Sequence, residues 1–230
     1  IGVSRGLGDV YKRQIIDSVR AEPGEITLVA VGPLTNLALA LEADPEIVDL
    51  VKEVVIMGGA FGENDHRGNV TPFAEANIHD DPHAADKVFT ASWPVVIIGL
   101  DVTEESFFTG QYLDDLRDDA GEVGQFIWDV SRYYLKFYSE KVGMEGCHVH
   151  DPSAIAYVIQ PSLFTCRSGS VRVVTDGPAE GMTIQKVDQR KYMNDEWSSF
   201  PAQKVGVQVD NNALLSLYRE TLVHYSQQQS

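Results

Sequence analysis

Three apolar runs, ITLVAV at 26–31, VVIM at 54–57 and VVIIGL at 95–100, constrain the fold of this chain more than any other feature. None alternates polar with apolar, and all are rich in β-branched residues, which is how strands covered on both faces read. Helical patterns separate them. TNLALALEAD follows the first run after a Gly-Pro turn, and DPHAADKVFTA precedes the third. Strand, helix, strand at this spacing predicts an α/β fold with a parallel sheet. A longer helix is expected over 122–142, with Phe126, Val130, Tyr134, Phe137 and Tyr138 along one face. After a shorter helix behind Asp151, the segments VRVV, GMTIQKV and KVGVQV read as β-rich, and NNALLSLYRETLVHY reads as a closing helix.

A chain of 230 residues can hold this pattern in one α/β domain. With no internal repeat or linker, that domain is expected over 15–230. The opening IGVSRGLGDVYKRQ carries three glycines and no apolar period, so residues 1–14 are expected to lie outside it, disordered or foreign to the protein. The formal charge of −16 argues against a nucleic-acid backbone or an anionic membrane as partner, since both reward a basic surface. Cys147 and Cys166 form no disulfide framework and fit a reducing compartment. No apolar run has the length of a membrane span and no leader pattern opens the chain, so the expected location is the cytoplasm. Asn69-Val-Thr matches a glycosylation sequon, but nothing else suggests secretion. The acidic run DDLRDDAGE (114–122) reads as a solvated face.

Ligands in open α/β sheets bind beyond the carboxyl ends of the strands. Behind the first run lies VGPLTN; behind the second lies a long loop, MGGAFGENDHRGNVTPFAEANIHDDP, which holds Asn69, Glu75 and Asn77. A carboxylate with two carboxamides both accepts and donates hydrogen bonds, which suits the hydroxyls of a sugar. Taken singly, each candidate also has a plain structural reading. Asn and Glu cap turns, Asp151 before Pro152 is a helix cap, Met57 is packing, and Tyr134 and Tyr138 are core. His150 alone reads as a surface histidine. Cys147 beside His148 lacks the further ligands that a zinc site needs.

Together, LVAVGPLTNLALAL, VKEVVIMGGAFG, GNVTPFAEANIHDDPHAA, VIIGLDVT, HVHDPSAIAYVI and GMTI resemble the inosine-uridine preferring nucleoside hydrolases, in that family's order and from about residue 15 to near the end. The combination of GPLTN, MGG, AExN and HDP is far more specific than any one piece. The resemblance implies a mixed, mostly parallel sheet flanked by helices. It implies hydrolysis of the N-glycosidic bond of ribonucleosides to free base and ribose by a water on a calcium ion. In this sequence it implies Asp151 and the Val31 carbonyl as metal ligands, with Asp151 also touching the ribose. It further implies Asn69, Glu75 and Asn77 as ribose-binding groups, Met57 as a sugar-lining side chain, Tyr134 and Tyr138 as aromatic positions near the base, and His150 as proton donor to the departing base. A histidine with a near-neutral pKa suits that role. Homodimers or homotetramers are implied as well.

One departure from the family pattern carries weight. The motif DTDxGxDDA, which supplies the general base and most calcium ligands, has no counterpart here, and Gly8-Asp9 is no substitute. The chain is therefore expected to be an N-terminally truncated member lacking the first strands. Most calcium ligands would then lie outside it, and by itself it would be inactive. The rival reading is a non-catalytic ribose- or nucleoside-binding protein on the same scaffold. A metal-dependent phosphoesterase would need basic residues for the phosphate, and near these motifs there is mainly Arg67.

Overall fold

A computed structural model describes residues 5–187, 190–193 and 195–229. In chain order the elements begin with helix α1 (Arg5–Ala21), strand β1 (Thr27–Ala30), α2 (Thr35–Ala43), β2 (Glu53–Met57), α3 (Ala76–Asp80), α4 (Pro82–Thr90) and β3 (Val95–Ile98). A short helical turn, α5 (Leu100–Thr103), leads to β4 (Phe107–Thr109), α6 (Gly110–Asp119), α7 (Gly121–Phe137), β5 (Gly146–His148) and α8 (Asp151–Ile159). The chain closes with β6 (Phe164–Val173), β7 (Thr183–Gln185), β8 (Ala202–Val209) and α9 (Asn211–Gln229).

The chain divides into two compact units, residues 1–102 with 165–208 and residues 103–164 with 209–230, where the sequence was read as one domain over 15–230. The first unit holds a six-stranded sheet in the order β1-β2-β3-β8-β6-β7. β1, β2, β3 and β8 run parallel, while β6 and β7 pair antiparallel, so the sheet is mixed and mostly parallel as expected. Its core gathers Val19, Leu37, Ile56, Phe89, Ile97 and Val205 from helices and strands alike. Burying one such side chain contributes roughly 1.5–3 kcal/mol. The fully buried Gln203 on β8 closes the sheet beside β3: its carbonyl accepts from Val95 N–H at 2.9 Å and its amide donates to Phe89 O at 3.0 Å.

Helix α4 starts where the sequence marks it. Asp81 accepts from Ala84 N–H at 3.0 Å, and Pro82 occupies the first turn, where a missing N–H costs nothing. Helix α1 begins earlier than expected. Residues 5–14, read as outside the domain, form its first half, and residues 1–4 lie outside the described residues. Ile15, Ile16 and Val19 anchor the helix on the core, and a nucleated helix extends at little further cost.

The second unit pairs β4 with β5 antiparallel and packs α6, α7 and α9 around Phe108, Leu113 and Cys147, with α8 lying against α9. Tyr112 donates its hydroxyl to Leu215 O at 2.8 Å and ties α6 to α9. Helices α6 and α7 meet closely at Gly124, where a Cβ would stand 2.3 Å from Leu116 O. The helix expected over 122–142 is α-helical to Phe137 and then widens into one π turn, Tyr138–Val142, closed by Gly143 in the left-handed conformation.

Candidate functional site

In the first unit the carboxyl end of the sheet gathers the predicted sugar-binding residues. Ala30 pairs with Ile56 and Met57 with Ile98, so Val31, 43% exposed, follows β1 at the same edge where buried Met57 ends β2. Glu75 sits at the N-terminus of α3. Its carboxylate accepts from Asn77 N–H at 2.9 Å, Ile78 N–H at 3.2 Å and Gly59 N–H at 2.9 Å. Asn77 donates its amide to Met57 O at 3.0 Å and approaches the Met57 sulfur at 3.4 Å. Asn69 is tied in more loosely, accepting from Ala76 N–H at 3.1 Å. Met57, Glu75 and Asn77 thus form one connected set, and the capping role open to Glu75 in the sequence is one that its carboxylate fills.

The loop behind β2 is held by two further side chains to which the sequence assigned no role in the site. Asp101, fully buried, accepts from Phe61 N–H at 3.0 Å and Glu63 N–H at 2.8 Å. Burial pushes its carboxyl pKa upward, against the pull of those backbone hydrogen bonds. The hydroxyl of Thr183, from the GMTI segment, accepts from Ala60 N–H at 3.0 Å and donates to Ala60 O at 2.8 Å. Gly59 is left-handed, with φ of 80°, and its absent side chain would meet Thr183 at 3.0 Å. The only sequence signals were an acidic residue right behind an apolar strand and a threonine in a family motif.

In the second unit His150 occupies the cap position of α8, but no side chain there caps the helix. Asp151 is the first helical residue, exposed, with its carboxyl pKa raised by partial burial. The capping reading of Asp151 therefore does not hold. His150 Nδ1 lies 2.8 Å from Thr103 Oγ1, and its Nε2 lies 3.4 Å from the Tyr138 hydroxyl. Burial, with a smaller contribution from His148, lowers the His150 pKa to about 4. The expected near-neutral histidine is thus an imidazole held uncharged at neutral pH. Tyr138 packs its ring 5.3 Å from Tyr134 and 5.7 Å from His148, and burial raises the pKa of both tyrosines. A cleft of about 300 Å³ is lined by Ile127, Tyr134, Cys147, His148, His150 and Asp151.

The predicted residues thus fall into two clusters, one in each unit: Val31, Met57, Asn69, Glu75 and Asn77, and Tyr134, Tyr138, His150 and Asp151. Calcium takes six to eight oxygen ligands. Among the described residues no three His, Cys, Asp or Glu side chains gather to hold a metal, and Asp151 with the Val31 carbonyl supplies two oxygen groups from different units. The described residues do not fit a calcium site.

The sequence model of the inosine-uridine preferring nucleoside hydrolases matches residues 5–216. A probable uridine nucleosidase 2 of Oryza sativa subsp. japonica is 37% identical over 209 residues, covering 90% of this chain and 61% of that protein. A probable uridine nucleosidase 2 of Arabidopsis thaliana is 38% identical over 210 residues, covering 91% and 64%. Among solved structures, the plant nucleoside hydrolase PpNRh1 superposes with a TM-score of 0.89 at 37% identity, over 93% of this chain and 66% of that one. A purine-preferring ribonucleoside hydrolase from Gardnerella vaginalis gives 0.82 at 35% identity, over 94% and 66%. The chain spans less than two thirds of the length of these curated relatives.

Proposed function

The chain belongs to the inosine-uridine preferring nucleoside hydrolase family, and from that premise we propose that the chemistry of the intact protein is hydrolysis of the N-glycosidic bond of ribonucleosides to free base and ribose, which this chain by itself does not complete. The observation that carries this reading is the connected set of Met57, Glu75 and Asn77, a buried carboxylate and a carboxamide fixed at the end of a parallel strand. Its relatives include proteins named for uridine and for purine ribonucleosides, and the base preferred here is left open by two tyrosines that offer only an aromatic wall.

In this reading Asn69, Glu75 and Asn77 hold the ribose hydroxyls and Met57 lines the sugar; Asp151 keeps the role on the 2′,3′ side that the family resemblance implies. The loop behind β2 is clamped by Asp101 and Thr183, so the sugar-facing groups need little reorganisation when the ligand arrives. A glycosidic transition state is oxocarbenium-like, and fixed carboxylates stabilise its positive charge. Tyr134 and Tyr138 flank the base. His150, uncharged, presents either an N–H to the leaving base or a lone pair that accepts from Tyr138, the choice being set by what Thr103 donates or accepts at Nδ1. The family's chemistry depends on a metal as a rule; calcium is the ion that the resemblance names, and no step is assigned to it because the described residues do not fit it.

The misfit favours a second reading, a nucleoside-binding protein without turnover. Reading the DNA upstream of the first codon separates the two: an in-frame strand rich in aspartates supports the hydrolase, and an in-frame start codon immediately before the codon for Ile1 supports binding alone. The sugar-holding assignment is tested on the chain itself by saturation-transfer NMR with inosine and uridine. Saturable binding that Asn77→Ala weakens about tenfold or more is expected, from the loss of a buried hydrogen-bonding group. Equal signals for the native chain and the variant would remove the assignment. A cytoplasmic location is proposed on two free cysteines. No described helix is long and apolar enough to cross a membrane.

A further inference from the structure

Thr103 is fully buried at the end of α5, and among the described residues its hydroxyl has one hydrogen-bonding neighbour, His150 Nδ1 at 2.8 Å. Backbone hydrogen bonds set the two opposite each other. Thr103 O accepts from Ser106 N–H at 3.2 Å, and Ser106 O accepts from Val149 N–H at 3.3 Å, directly before His150. A threonine side chain is stiff about its first torsion, so the hydroxyl stays where the backbone aims it.

An uncharged imidazole has one N–H and one lone pair on its two nitrogens, and the contact at Nδ1 decides which nitrogen has which. Two arrangements fit the distance. If Nδ1 carried the hydrogen, Thr103 would accept it, and the threonine's own proton would face no acceptor in a place that water does not reach. If Thr103 donates instead, one bond satisfies both its proton and the Nδ1 lone pair. Leaving a buried donor without an acceptor costs more than a typical hydrogen bond gains, so the second arrangement prevails. The ring hydrogen then sits on Nε2. The far side of the ring agrees. The Tyr138 hydroxyl lies 3.4 Å from Nε2, and its own proton has another acceptor in the hydroxyl of Tyr134, so its oxygen can take the Nε2–H.

We propose that Thr103 is a positioning residue that selects the tautomer of His150, donating to Nδ1 so that the Nε2 side of the ring presents an N–H and not a lone pair. The inference rests on the reading of His150 as the residue that meets the leaving base, and it settles what His150 offers there. His150 lines the cleft as a hydrogen-bond donor. A base that departs with the electron pair of the broken N-glycosidic bond is an acceptor, and an Nε2–H binds it with no change in the protonation of His150.

The test is nitrogen NMR of labelled histidine rings in the 230-residue chain at about pH 8, where an ordinary histidine is uncharged. The chain has six histidines, and His150→Gln identifies the His150 signals by their loss. In the native chain the Nε2–H form should exceed the Nδ1–H form about tenfold or more, as the cost of an unsatisfied buried donor requires. Thr103→Val keeps the shape and removes the hydroxyl, and the preference should fall about tenfold. Thr103→Ser returns the donor and should return the native preference. Tyr138→Phe should leave the preference within about twofold, since a contact of 3.4 Å holds little. The other histidine rings check that each variant keeps the native fold. A native His150 protonated on Nδ1 overturns the proposal. So does a preference that Thr103→Val leaves unchanged or that Tyr138→Phe abolishes. The rings are read without substrate, so a failure of the nucleoside reading, seen in the binding of inosine and uridine, stays separate from a failure at Thr103.

Discussion

Gly59 N–H donates to the Glu75 carboxylate at 2.9 Å across 16 residues of sequence, joining the loop behind β2 to the first turn of α3. The same carboxylate caps that turn, so one side chain fixes both walls of the proposed sugar site. Glu75→Ala leaves three backbone N–H groups without their acceptor in a buried place. Loss of the cap and of buried hydrogen bonds should cost about 3 kcal/mol in urea unfolding. Glu75→Gln keeps one accepting oxygen and should cost about 1 kcal/mol. Equal, small losses in both variants would show that the carboxylate does not hold the loop.

Asp101→Asn exchanges an accepting oxygen for a donating amide opposite Phe61 and Glu63 N–H. Hydrogen exchange at those two amides should speed up about tenfold or more, as a lost hydrogen bond of 1–3 kcal/mol allows, while Val55 inside β2 keeps its rate. Unchanged protection at Phe61 and Glu63 would refute the clamp.

Calcium should not stabilise this chain. A ligand raises stability only as far as its concentration exceeds its dissociation constant, and among the described residues no three His, Cys, Asp or Glu side chains gather for an ion that takes six to eight ligands. The unfolding midpoint in millimolar calcium should match that in chelator, and inosine or uridine should release no base in either. A calcium-dependent rise in midpoint or in base release would overturn the judgement that the described residues do not fit the ion.

Cys147 is buried on β5, and desolvation raises its thiol pKa to about 11. At pH 8 about one thiol in a thousand is then ionised, so alkylation should run about a hundredfold slower than in the unfolded chain, because only the thiolate reacts. The rate should climb as pH rises toward 11. Mass spectrometry after timed iodoacetamide treatment measures it, and labelling at the unfolded rate would contradict the buried placement.

The strands of the first unit were legible because burial on both faces leaves an unbroken β-branched signature: VVIM and VVIIGL became β2 and β3 within about one residue at each end of VVIM and two at the end of VVIIGL. Three features were not legible. β4 and β5 are three residues each, too short to show any period. The first half of α1 has glycines where a helix disfavours them, and its order comes from Ile15, Ile16 and Val19 further along. The π turn at Tyr138 leaves the apolar pattern of α7 intact, because it changes only which carbonyl each N–H finds. At the site, residue types alone placed Glu75, Asn77 and Met57 near a strand end. That His150 is uncharged depends on how deeply it is buried, which neighbours in space decide and sequence order does not.

Gln203 carries one last implication, for the order of events when the chain folds. The N–H of Val95, which opens the central strand β3, finds its acceptor in a side chain 108 residues downstream. β3 can pair with β2 as soon as both exist, but its other edge waits until β8 has been synthesised, after all of residues 103–164 have emerged. Contacts of such long sequence separation close slowly. The parallel part of the sheet should therefore form in two kinetic phases, an early one from β1 to β3 and a late one that β8 completes, with Gln203 as the residue whose arrival marks the second.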